Sequence, residues 1–168
     1  MKKIIIGLII GLCLPFLGGY IFLISGGMPV ATKGPPLPLE KFVARSAIRA
    51  AMKGQTNVEP PVSVDEVGLL AGSKVYKTNC AVCHGLPDGE ATAIAKGLFP
   101  KPPQLFGEEN VTDDPVGKIY WKVKNGIRLT GMPGFEGTLS DTELWQLSAL
   151  LQKADKLPDV VAHNLKSN

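Results

Sequence analysis

A chain of 168 residues, 45 % hydrophobic and 20 % charged, has room for one ordinary domain plus an anchor or a tail. Its net charge of +3 is unevenly placed, with seven basic and two acidic side chains in residues 1–63 against eleven and thirteen in residues 64–168. The basic excess thus precedes the expected folded part, where no basic stripe interleaves with aromatics, and this excludes nucleic acid as a partner.

Met1-Lys2-Lys3 is followed by an uncharged apolar run from Ile4 to Ile24, 21 residues that would span roughly 30 Å as a helix, enough to cross a bilayer. A secretory signal has a shorter apolar region, about 7 to 15 residues, although Ser25-Gly26-Gly27 offers small residues to a peptidase. Residues 1–27 therefore read as a transmembrane anchor, with a signal sequence as the competing reading. Either one exports the rest of the chain and holds Lys2 and Lys3 on the cytoplasmic side. Cys13 reads as apolar filler, because Leu12 precedes it where a lipoprotein signal needs a small residue.

Residues 28–62 are dense in proline and glycine at both ends and read as a linker. Within them, 39–53 has helical periodicity: Lys41, Arg45, Arg49 and Lys53 recur on one face, while Leu39, Val43, Ala47, Ala50 and Ala51 fill another. Such a basic amphipathic helix is open to three placements: anionic headgroups, the folded domain, or a partner subunit. The domain itself is expected over 63–155, opened by a capping box, Ser63-Val64-Asp65-Glu66. The helix that follows, of about 14 residues, carries Val67, Leu70, Ala71, Val75 and Tyr76.

That helix runs into Cys80-Ala81-Val82-Cys83-His84, which reads as the attachment site for one haem c. Each thiol can add across one vinyl group, two intervening residues span the gap, and His84 is delivered to the iron. A zinc site lacks ligands, since the other Cys and His are Cys13 and His163, and a redox dithiol of thioredoxin type would need a βαβ context. Residues 85–110 are rich in glycine and proline and read as a long loop needing something to wrap. Asp114 and Pro115 signal a helix over 115–125, with Ile119, Tyr120 and Val123 inward and Trp121 beside them, ended by Gly126.

Met132 then sits between Gly131 and Pro133-Gly134. Methionine is most often core filler, but these flanking breakers argue for a stiffly presented thioether, a soft distal ligand opposite the imidazole that raises the reduction potential. Met1, Met28 and Met52 all precede the expected domain. Ser140-Asp141-Thr142-Glu143 opens a last helix through Leu144, Trp145, Leu147, Leu150 and Leu151 to about Lys153, and 156–168 reads as a tail. With no convincing strands the chain is expected to be all-α.

The C-x-x-C-H motif, the Gly-Met-Pro loop, and Gly72 and Tyr76 at eight and four residues before Cys80 resemble the class I cytochrome c family, specifically its membrane-anchored bacterial mono-haem members. The resemblance covers roughly 63–155 and implies an all-α cytochrome c-like haem domain behind an N-terminal transmembrane helix. It also implies that Gly72 and Tyr76 let the first helix cross closely over the last, against Leu147 and Leu150. A proline carbonyl, of Pro102 or Pro103, would accept the His84 N–H. Arg128 and Trp121 are candidates to hold the haem propionates, with a solvated arginine and a half-buried core tryptophan as the alternatives. The implied cofactor site is Cys80, Cys83, His84, Met132, Pro102, Pro103, Trp121 and Arg128, with His84 and Met132 on the metal.

Function follows from ligation. An iron held by His84 and Met132 has no open position for a substrate, so the expected role is single-electron transfer at the outer face of the bacterial cytoplasmic membrane, not bond chemistry. Expected partners are a membrane dehydrogenase or quinol oxidoreductase as donor and an oxidase or soluble cytochrome as acceptor. The alternatives are a haem subunit fixed in a larger membrane oxidoreductase, or a catalytic or gas-binding haem protein.

Overall fold

An apolar stretch with no charge between Ile4 and Ile24 favours the one conformation that satisfies every backbone group internally, and helix α1 runs from Lys2 to Ile24. The computed structural model describes residues 1–61 and 63–167 and resolves two compact units, Met1–Pro38 and Leu39–Asn168. In the first, α1 leaves its whole apolar surface open, with no residue buried against protein. It has the length and composition of a membrane span, which a signal sequence shares.

The second unit begins earlier than the sequence suggests. Helix α2 covers Glu40–Ala51 and Met52 directly after it is buried. The chain then turns at Gly54 (φ +94°) into a 3-10 turn, Gln55–Asn57. That turn packs on the helix at 116–125, where Gly117 makes room: a Cβ there would strike the carbonyl oxygens of Gln55 and Val58. Part of the expected linker is therefore folded, and Met52 belongs to the folded unit. Pro60-Pro61 prevents regular structure but not docking. The expected ends of the linker and tail, residues 62 and 168, lie outside the described residues.

Helix α3 spans Glu66–Asn79. Asp65 caps it, not Ser63, its carboxylate accepting from the Gly68 N–H at 2.8 Å, because Asp65 holds the extended backbone immediately before the first helical residue. The buried face is Gly68, Leu69, Gly72, Ser73 and Tyr76, while Val67 points to solvent. After the single-turn helix α4, Ala81–His84, the long loop contains a short helix α5, Ala93–Gly97, capped by the Thr92 hydroxyl. Helix α6 covers Val116–Asn125, with Pro115 at its cap and the Asp114 carboxylate paired to Lys122 Nζ at 2.7 Å instead of capping. Helix α7, Asp141–Gln152, starts at the complete Ser140/Glu143 capping box.

The segment read as a tail forms helix α8, Asp159–Lys166, whose Val161 and Leu165 are fully buried. It packs on α3, where Ser73 Oγ donates to Asn164 Oδ1 at 2.8 Å and Lys77 Nζ donates to the carbonyls of Asn164 and Ser167 at 2.9 and 2.5 Å. Lys77 thereby satisfies carbonyls that a helix end leaves without partners. The core lies where α3, α6, α7 and α8 meet, and among the described residues the extended structure is one isolated bridge, Glu136 to Leu139.

Candidate functional site

Cys80 closes α3 and opens the α4 turn, so the motif folds as one helical turn, with the N–H groups of Cys83 and His84 donating to the Cys80 carbonyl at 3.0 and 2.9 Å. At spacings i, i+3 and i+4, Cys80, Cys83 and His84 share one face. Both thiols are unpaired. Burial, and then the neighbouring Cys83, push the Cys80 thiol up to about 12. This is opposite to a redox dithiol, whose attacking thiol is held low.

Pro103, not Pro102, receives the imidazole: His84 Nδ1 lies 2.8 Å from the Pro103 carbonyl oxygen. A carbonyl can only accept, so Nδ1 carries the proton and Nε2 keeps its lone pair for a metal. Burial lowers the His84 pKa and outweighs the opposing pull of that hydrogen bond, which keeps the ring neutral and able to ligate at pH 7. The Pro102 carbonyl instead faces Gln104 Nε2 at 3.5 Å.

Three side chains outside the motif hold this turn in place. Tyr76 OH donates to the Gly85 carbonyl at 2.6 Å, fully buried and edge-on to Phe106, and burial pushes its hydroxyl pKa up. Gln104 Nε2 reaches the Cys83 carbonyl at 3.4 Å, and Thr92 Oγ1 donates to the Val82 carbonyl at 2.5 Å. The close approach of Gln104 requires Gly85, which adopts φ +72°.

The Met132 loop is built onto the end of α6. Phe135 N–H and Glu136 N–H donate to the carbonyls of Val123 and Lys124, both at 3.1 Å, and Ile127 N–H donates to the Met132 carbonyl at 3.1 Å. Thr130 Oγ1 accepts from the Met132 N–H at 3.1 Å and donates to the Ile127 carbonyl at 2.7 Å. Gly134 lets the strands of this clasp close, since a Cβ there would sit 2.7 Å from the Asn125 carbonyl. Leu98, from the long loop, lies against Gly131, and Met132 is half-buried against the core. Arg128 is exposed and Trp121 half-buried. Among the described residues no hydrogen bond or ion pair joins either side chain to the Cys80–His84 turn or to Met132.

A family model described as cytochrome C oxidase, cbb3-type, subunit III matches residues 68–151, from α3 through α7. The chain is 36 % identical to cytochrome c6 of Leptolyngbya boryana, covering 93 % of that protein and 51 % of this chain, and 31 % identical to cytochrome c6 of Limnospira maxima, covering 96 % and 52 %. The chain belongs to the class I c-type cytochromes. A third relative, the cytochrome c subunit of the quinone alcohol dehydrogenase of Gluconobacter oxydans, is 33 % identical over 49 % of this chain and 18 % of its own length.

As a c-type cytochrome the protein carries covalently bound haem c and serves electron transfer among redox partners. The donor set fits that group: two adjacent thiols, a neutral imidazole with one nitrogen free, and a clasped thioether. Haem c supplies a one-electron iron couple.

Proposed function

We propose that Cys80 and Cys83 tether the haem, that His84 and Met132 are its axial ligands, and that the chain is a carrier of single electrons anchored by α1 at the outer face of a bacterial cytoplasmic membrane. The observation that supports this best is the Met132 clasp: three backbone hydrogen bonds and Thr130 hold one thioether on a rigid loop. A donor so fixed keeps both axial positions filled and the coordination unchanged between oxidation states. Pro103 orients His84, and Gln104, Thr92 and Tyr76 brace the turn that bears the thiols. Electrons would arrive from a membrane dehydrogenase or quinol oxidoreductase and leave to an oxidase or soluble cytochrome.

Potentiometric titration of the full-length protein should give one haem per chain, a single one-electron wave, and a reduced form that does not bind carbon monoxide. Ready carbon monoxide binding at neutral pH would replace the carrier with a catalytic or gas-binding protein. A second reading, a haem subunit fixed in a larger oxidoreductase, is favoured by the likeness to a dehydrogenase's cytochrome c subunit. Native sizing after mild solubilisation separates the two.

A further inference from the structure

The two ends of helix α2 differ in exposure. Ile48 within it is half-buried and Met52, directly after it, is 6 % exposed, so its C-terminal end is the part that meets protein. At its start Phe42 and Val43, with Leu39 at the cap position before them, stand 65, 60 and 73 % exposed. Arg45 and Arg49, three and seven residues after Phe42, border this strip, with Lys53 nearby, all exposed. Residues 33–53 carry five basic side chains and one acidic, Glu40, while residues 64–168 carry an acidic excess. An apolar strip bordered by arginine and lysine suits an anionic lipid surface. The fourteen residues 25–38 that join α1 to α2 reach at most about 50 Å when extended, a tether short enough to let α2 meet a bilayer that α1 spans.

We propose that α2 is a foot that lies on the anionic surface of the bilayer, with Leu39, Phe42 and Val43 entering the headgroup boundary and Arg45, Arg49 and Lys53 meeting lipid phosphates. The inference rests on the anchored reading above. Attraction at α2 and repulsion of the acidic remainder together give the domain a preferred orientation, so the foot fixes which surface of the cytochrome faces the aqueous phase. A tethered helix already near the surface needs little further affinity to stay there.

The test is limited trypsin digestion of full-length holoprotein in nanodiscs, comparing phosphatidylcholine alone with an equal mixture of phosphatidylcholine and phosphatidylglycerol. Cleavage at Arg45 and Arg49 should be slower in the anionic discs by about fivefold or more. The protection should be lost at about 0.5 M salt, where screening shortens charge interactions to a few ångströms. It should also be lost in F42S/V43S, which keeps both cleavage sites and whose unaltered melting shows that the domain is intact. Co-elution of protein with discs but equal cleavage in both would overturn the foot and leave the anchor standing. Protection only in the native solubilised complex would also overturn it, in favour of a protein partner. Elution apart from the discs would overturn the anchored reading and the foot with it.

Discussion

Gly72→Ala puts a methyl group where α3 crosses α7. The new Cβ would lie 2.5 Å from the Gln146 carbonyl oxygen, 2.8 Å from its carbon and 3.1 Å from the Leu147 nitrogen. All three are backbone atoms within a helix, so no side chain can swing aside. Ordinary contact begins near 3.4 Å, which requires the helices to part by about 1 Å along a seam where Tyr76, Leu147 and Leu150 are fully buried. Overpacking of this kind costs about 3 kcal/mol, of which the better helix propensity of alanine returns about 1, for a net loss of about 2 kcal/mol. In a folded unit of about 130 residues this lowers the Tm by about 7 °C. Thermal melting of the oxidised holoprotein followed by far-ultraviolet circular dichroism reads it, with Gly97→Ala as the control, since no heavy atom lies within 4 Å of a Cβ there. A Gly72→Ala Tm equal to or above wild type would refute the close crossing.

Replacing Cys80 and Cys83 together with serine should abolish haem that survives denaturation, read by haem staining of a denaturing gel; undiminished staining would contradict attachment at this motif. Leu165→Ala should destabilise the domain by about 3 kcal/mol, because Leu165 is fully buried in α8; an unchanged Tm would make residues 156–168 the loose tail that their polarity suggests. Ser140→Ala should lower the Tm by about 5 °C at neutral pH by removing the cap of α7. Hydrogen bonds from the Ser140 hydroxyl and then its N–H hold the Glu143 carboxyl below its ordinary value. A carboxyl depressed in the folded state gives stability that is present above its unfolded pKa and lost as pH falls through its folded one. The Tm gap to wild type should therefore narrow below about pH 4, and a gap constant with pH would show that the hydrogen bond from the Ser140 hydroxyl to the Glu143 carboxylate contributes nothing.

The parts of this fold legible in the sequence are those where residue type and spacing alone impose geometry. The run Ile4–Ile24, the Ser140/Glu143 box and the apolar face of α7 form as their patterns predict. The buried face of α3 was less legible because it is built from Gly68, Gly72 and Ser73, residues chosen for smallness where another helix comes close, while the conspicuous Val67 faces water. Helix α8 hides behind polar neighbours, since two residues a turn apart, Val161 and Leu165, carry its contact. Docking of 55–58 depends on Gly117, sixty residues away, which no local pattern reveals. At the site, the Cys80–His84 and Gly131–Pro133 motifs are local. The choice of Pro103 over Pro102, and the braces from Gln104 and Thr92, depend on how the long loop returns over the turn.

Proton NMR of the reduced, diamagnetic holoprotein tests the ligand set most directly. A methionine methyl bound to iron sits over the macrocycle, whose ring current moves it upfield of every other protein resonance. The wild type should show one such methyl signal. Met132→Ala should lose it while keeping its covalent haem, with a lower reduction potential as the thioether that favours ferrous iron is removed. Met52→Leu, altering the buried methionine of the folded unit, should retain the signal. An upfield methyl that persists in Met132→Ala, or disappears in Met52→Leu, would contradict the assignment of Met132 to the iron.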